Sequence, residues 1–284
     1  MNNKRLNVVF FVRHFTERGT EVSVYNYAKY NEIILGNKSF IVCFTPQKQQ
    51  SIGFPMERFS YNKFKSRFPI IEISDIAEMR GVIAEFGIHV FYTQTAGGGG
   101  DVYRFEDKSI WENCKTVKHC IFSTKYPESD FYISIGQCLN NRFHTNIPVI
   151  NYIAENVEYS RDDLREELGI PKDAVVLGRH GGMDEFNIPM AHEAIYLFLN
   201  NYINDNVYFV FMNTKRFYDH PRIKYLDMTV DLARKDKFIN TCNAMIHARQ
   251  MGETFGAAIA EFSMKNKPVI TSESGDNEHL LILG

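Results

Sequence analysis

LNVVFFVRHFTERGTEVSVYNYAKYNEIILGNKSFIVCF, residues 6–44, decides the fold. Residues 6–12 form a continuous apolar run rich in β-branched and aromatic side chains, as a strand buried on both faces of a parallel sheet requires. The polar loop RHFTERGTE follows. From residue 22 to residue 35 the apolar positions recur at helical spacing, Gly36 offers a stop, and residues 40–44 read as a second strand. Strand, loop, helix, strand is the repeating unit of a parallel α/β sheet.

The same alternation continues outward. Strands are predicted at residues 89–92 and 116–123, with a helix over 76–86. Near Tyr159 the composition changes: SRDDLREELGIPKDA (160–174) is charged and ends in a proline-containing turn, which marks a domain boundary and divides the chain into 1–158 and 159–284. Ser160 or Asp162 is a candidate cap for a short helix there, and Gly169 a candidate stop. Beyond the boundary come strand 175–178, helix 190–199, strands 207–212 and 223–226, helix 237–242, strand 244–248, helix 255–264 and strand 268–271. Two Rossmann-like halves facing each other across a cleft is the simplest architecture that fits.

The 284 residues, 44% of them hydrophobic, suffice for two modest cores. Formal net charge is only -2 with the signs mixed, so the totals carry no electrostatic footprint for nucleic acid. The polar amino terminus and the short apolar run after it are wrong for a signal peptide or a membrane span, which predicts a cytoplasmic protein. Cys43, Cys114, Cys120, Cys138 and Cys242 are scattered and odd in number, so they read as reduced and mostly buried rather than as disulfides or a zinc site.

RQMGETFGAAIAEFSMKNKPVI (249–270) carries the chemistry. Gly252, Glu253 and Gly256 lie between an apolar strand and an amphipathic helix, a junction that presents unpaired backbone N–H groups to an anion such as a diphosphate. Glu253 and Glu261 are eight positions apart, which on a continuous helix is about 12 Å along the axis. A glycosidase pair needs about 5–5.5 Å or about 6.5–9.5 Å, so this spacing suits one extended ligand held at two points instead. Taken singly, Glu253 also reads as a helix-dipole residue and Glu261 as part of a solvated face.

GETFG heading an E-x7-E, with E-F-S and N-K-P-V-I behind it, resembles the signature of retaining family 4 glycosyltransferases of the GT-B fold. The resemblance implies that Gly252, Glu253, Thr254, Phe255 and Gly256 line a sugar and phosphate site, and that Glu261 holds a ribose. It also implies a nucleoside-diphosphate-sugar donor (UDP-, GDP- or ADP-linked), a glycan, lipid-linked or protein acceptor, no cofactor, and no nucleic-acid partner. Peripheral contact with a membrane stays open.

Three further places join the site. Gly178-Arg179-His180-Gly181-Gly182 follows a strand, and Arg179 suits a diphosphate; the family resemblance agrees, and a surface ion pair with Asp184 or Glu185 is the other reading. The lysine that the family pattern has several residues later is missing from DEFNIP, which leaves Lys215 or Arg216 as substitutes. Arg18, Gly19 and Thr20 open a helix, where the resemblance implies a loop near donor phosphates and acceptor, although an ordinary turn explains one glycine equally well. His119 resembles the cleft histidine beside the donor sugar, and fits equally a core residue satisfied by neighbours. The tetraglycine 97–100 reads either as a close-approach loop or as a flexible one.

Catalytic candidates are therefore Glu253, Arg179 and His119. With fixed positive groups at the phosphates and no D-x-D element, the reading needs no metal. The sequence names no nucleophile, in line with the front-face attack that the resemblance implies. No G-x-G-x-x-G follows the first strand, which argues against a nicotinamide enzyme or an epimerase of that type. A non-catalytic module that keeps the nucleotide-sugar cleft is the remaining rival. The family pattern continues through further helices past the equivalent of Gly284, so either a compact or truncated donor domain or a cleft that closes differently is expected.

Overall fold

A computed structural model describes residues 5–16, 19–53, 56–99, 102–155 and 158–283. The chain divides into two compact units, Met1–Ile153 and Ala154–Gly284. The change of unit comes shortly ahead of the composition change at Tyr159.

The first unit runs β1 (Asn7–Val12), α1 (Gly19–Ile33), β2 (Lys38–Phe44), α2 (Pro46–Ser51), α3 (Arg58–Lys65), β3 (Ile70–Ile73), α4 (Met79–Phe86), β4 (Val90–Thr95), α5 (Lys108–Trp111), β5 (Lys115–Cys120), β6 (Phe131–Ser134) and α6 (Gln137–Phe143). Its six strands form one parallel sheet in the order β3-β2-β1-β4-β5-β6. The apolar run of β1 divides by parity: Val9 and Phe11 enter one core with Phe40, Phe91 and Trp111, while Val8, Phe10 and Val12 enter the other with Val24, Ala28 and Phe64. That is the two-faced burial expected of a central parallel strand. Helix α1 starts at Gly19, before the predicted residue 22, because Thr20 and Glu21 form its first turn; Gly36, at φ 67°, closes its far end. The unforeseen β3 and β6 are four-residue edge strands, too short to show a periodicity.

The second unit runs α7 (Arg165–Leu168), β7 (Val175–His180), α8 (Pro189–Asn201), β8 (Val207–Met212), β9 (Ile223–Leu226), α9 (Leu232–Thr241), β10 (Ala244–Ile246), β11 (Gly252–Glu253), α10 (Ala257–Met264), β12 (Val269–Ile270), β13 (Asp276–Asn277) and α11 (Glu278–Leu283). Five strands form a parallel sheet, β12-β10-β7-β8-β9, and β11 pairs with β13 in a small parallel sheet of its own. Gly178 in β7 lets α9 approach: a Cβ there would collide with Cys242 Sγ. Neither Ser160 nor Asp162 caps α7, whose N-cap is Leu164 without a side-chain bond; Gly169 ends it in the left-handed conformation. Helix α10 begins at Ala257 rather than residue 255, which places Glu253 in β11, outside the helix.

All five cysteines are free and buried. Burial pushes the thiols of Cys43, Cys114 and Cys242 up to about 12, so they stay protonated. Among the described residues no helix is long and apolar enough to cross a membrane.

Candidate functional site

In the second unit, the carboxyl ends of β7, β10 and β12 and the loops after them bring charged side chains together, as parallel sheets do for ligand sites. Arg179 and His180 are the last two residues of β7, not a loop beyond it. Arg179 is only 2% exposed. Its guanidinium donates to Thr214 Oγ1 at 2.7 Å, to the Asn213 carbonyl at 3.3 Å and to the Gly182 carbonyl at 2.9 Å, while Nε has no acceptor. It is neither a surface ion pair nor a free cation, but the peg on which two loops hang. Burial brings its pKa down to about 10, partly offset by Glu185 and Glu253. It remains charged at neutral pH.

Glu185 and Glu253 share Arg249. Nη2 meets Glu185 Oε1 at 2.9 Å and Nη1 meets Glu253 Oε2 at 2.9 Å. The other oxygen of Glu253 lies 3.1 Å from His247 Nε2. His247 Nδ1 is 3.0 Å from Thr271 Oγ1, which in turn is 3.0 Å from His279 Nε2. Burial works against ionisation of Glu253, yet the His247 ring and the Arg249 guanidinium hold its carboxyl below the usual value.

Glu253 is followed by Gly256, which takes φ 85° as the N-cap of α10 and supplies no side-chain cap. The first turn of that helix therefore keeps N–H groups without side-chain acceptors. Glu261, further along α10, meets Lys235 Nζ of α9 at 2.6 Å and His180 Nε2 at 3.0 Å. His180 Nε2 and Lys235 Nζ meet different oxygens of the carboxyl. Burial opposes ionisation here too, but His180 and Lys235 outweigh it and hold the carboxyl down at about 2. Glu261 is thus no freely solvated residue: Lys235 of α9 is its cation. Lys215 and Arg216 are exposed, and Arg216 faces Asp219 at 3.6 Å.

Gly252 has a local reason to be glycine: at φ 67° a Cβ would collide with the Asp276 carbonyl oxygen across the β11/β13 pair. Thr254 is half-buried and Phe255 buried. Among the described residues no group of three or more His, Cys, Asp or Glu side chains is arranged to hold a metal ion.

In the first unit, Gly19 and Thr20 open α1, while Arg18 lies outside the described residues. A Cβ on Gly19 would meet nothing within 4 Å. The Thr20 hydroxyl is engaged by the Tyr152 phenol. His119 is fully buried in β5, with Nδ1 2.6 Å from the Tyr92 hydroxyl, which also accepts from Gln94. Burial lowers its pKa to about 4, so the ring is neutral and Tyr92 donates to Nδ1. Gly97, at φ 84°, packs so closely on Ser123 that a Cβ would strike its carbonyl, and buried Lys118 donates to Gly98 at 3.0 Å. Gly98 has open space around it and Gly99 faces the Tyr126 ring; Gly100 and Asp101 lie outside the described residues.

Sequence reasoning missed His247, Thr271, His279 and Lys235. His247 and Thr271 fall within the strands predicted at 244–248 and 268–271 but in fact follow β10 and β12, whose carboxyl ends face the site; His279 and Lys235 carried no such signal.

No protein-family profile matches the chain, and no curated protein matches it in sequence. Solved structures do. A glycosyltransferase from Rickettsia africae ESF-5 superposes with a TM-score of 0.71 at 14% identity, over 96% of this chain and 80% of that one. Anabaena HepE, solved in complex with UDP and glucose, gives 0.65 at 14% identity over 96% and 82%. The fold is that of the GT-B glycosyltransferases. A putative UDP-N-acetylglucosamine 2-epimerase from Listeria monocytogenes is also similar, with a TM-score of 0.56 at 11% identity over 99% and 86%. At these identities the likeness concerns the GT-B architecture, and fold alone does not fix a reaction.

Proposed function

We propose that this GT-B chain is a retaining, metal-independent glycosyltransferase that moves a sugar from a nucleoside-diphosphate sugar to a glycan, lipid-linked or protein acceptor. One observation carries the reading: two ionised carboxylates, Glu253 ahead of α10 and Glu261 along it, flank an uncapped helix start, with Arg179 in the same charge cluster. The helix N–H groups and Arg179 would stabilise the departing diphosphate. Glu253, ionised and able only to accept, would bind sugar hydroxyls, and Glu261 the ribose. Thr254, Phe255 and Gly256 would line the sugar and phosphate.

As sugar and diphosphate separate, positive charge grows on the sugar ring and negative charge on the phosphate, so fixed cations do what a divalent ion does elsewhere. The first unit would serve the acceptor, with Gly19 and Thr20 at its helix start; His119, neutral, would act as a hydrogen-bonding group and not as a base. Buried free cysteines favour a cytoplasmic setting. Peripheral membrane contact is supported by α3, where Arg58, Lys63 and Lys65 accompany Phe59, 55% exposed.

The test is incubation with UDP-, GDP- and ADP-sugars and mixed acceptors in EDTA, following diphosphate release and product anomer by NMR. The expected result is release from one donor class, undiminished by EDTA, with the donor's anomeric configuration kept. The likeness to a putative epimerase gives the rival outcome: epimerised donor without any acceptor. Binding with neither reaction would leave a nucleotide-sugar-binding module.

A further inference from the structure

We propose that Thr271 and His279 are positioning residues for Glu253, acting through His247 along a one-directional hydrogen-bond chain. The inference rests on the reading of Glu253 as a donor-sugar ligand, but its geometry stands alone. Three elements are tied by it: the loop after β10 carries His247, the loop after β12 carries Thr271, and α11 carries His279. The separations are 3.1, 3.0 and 3.0 Å, with His247 and His279 both buried.

The direction follows from chemistry. An ionised Glu253 can only accept, so His247 Nε2 must donate. The Thr271 hydroxyl has two acceptors in reach, and His247 Nδ1 at 3.0 Å is nearer than the Ser272 carbonyl at 3.4 Å, so the hydroxyl donates to the ring. The hydroxyl oxygen then accepts from His279 Nε2–H. His279 Nδ1 is left as a bare acceptor, and it is buried with no hydrogen-bond partner.

Arg249 fixes one oxygen of Glu253 and His247 the other, so the carboxylate plane is set from two sides. Without the Thr271 hydroxyl, His247 Nδ1 has no donor, the ring is free to turn about its side-chain bonds, and the second tether loosens. Arg249 still keeps the charge, so donor binding should survive better than turnover.

Side-chain imidazole NMR of the intact, ligand-free protein tests the chain without reference to any donor. Both histidines should be neutral Nε2–H tautomers, and Thr271→Val should shift and broaden the His247 ring signals while Thr271→Ser keeps them. An Nδ1–H or charged His247 in the wild type, or a Thr271→Val spectrum unchanged at His247, overturns the proposal. With an active donor, Thr271→Val should lower kcat about tenfold or more with a smaller change in donor KM, and Thr271→Ser should restore it. Failure of the serine to rescue also overturns it. Absence of any transfer by the wild type would count against the glycosyltransferase reading and leave the tautomer result decisive.

Discussion

Glu261 shows how one side chain keeps a charge where burial disfavours it. Lys235 and His180 face its two oxygens, and the folded carboxyl titrates near 2 against an ordinary 4.5. The folded state therefore holds this proton less readily than the unfolded chain. The resulting stabilisation is complete above about pH 4.5 and lost as pH falls towards 2. With the side chain 29% exposed, screening trims it to about 1–2 kcal/mol. Comparing Glu261→Gln with the wild type by thermal unfolding should give a deficit at pH 6 that shrinks steadily below pH 4.5. A deficit independent of pH would assign Glu261 a packing role and remove the ion-pair account. Arg179 makes the complementary point: its three backbone and hydroxyl bonds need a planar fork, which no lysine supplies.

At the scale of elements, two glycines that look alike in sequence do different work. Gly252 sits at positive φ against the Asp276 carbonyl, whereas Gly19 lies in the first turn of α1 with open space around it. Gly252→Ala should cost about 1–3 kcal/mol or more, since both strain and a backbone collision oppose it, and should weaken nucleotide binding by displacing Glu253. Gly19→Ala should leave stability unchanged or raise it by about 0.5–1 kcal/mol. Chemical unfolding with UDP titration checks both; equal effects would mean that the β11/β13 pair does not set the position of Glu253. The sequence was readable where an element carries its own signal. VYFVFM (207–212) matches β8 residue for residue, because a buried interior strand is a continuous apolar run, and IKYL (223–226) matches the half-buried edge strand β9. GETFG and Glu261 were readable for the same reason, as neighbours in one segment. His247, Thr271 and His279 were not, because only the adjacency of β10 and β12 brings them together, and that is a property of sheet order.

The whole molecule has two separate sets of cores. Clusters around Phe11 and Phe10 belong to the first unit, and those around Phe238 and Phe211 to the second. Arg179, Glu253, Glu261 and the chain to His279 all lie in the second unit, so a nucleotide held by them should couple chiefly to the opening of that unit. At about 100 times its dissociation constant, UDP or the preferred diphosphate adds about 2.7 kcal/mol to the unit that binds it. Amides of β7, β8 and β10 that exchange through global opening of the second unit should then slow about a hundredfold, while those of β1, β2 and β4 keep their rates. Hydrogen exchange followed by mass spectrometry on the intact chain reads both sets in one experiment. Equal slowing in both units would mean that they open as one cooperative body. Slowing confined to the first would move the nucleotide away from Glu253 and Glu261, and with it the basis for assigning them to the donor.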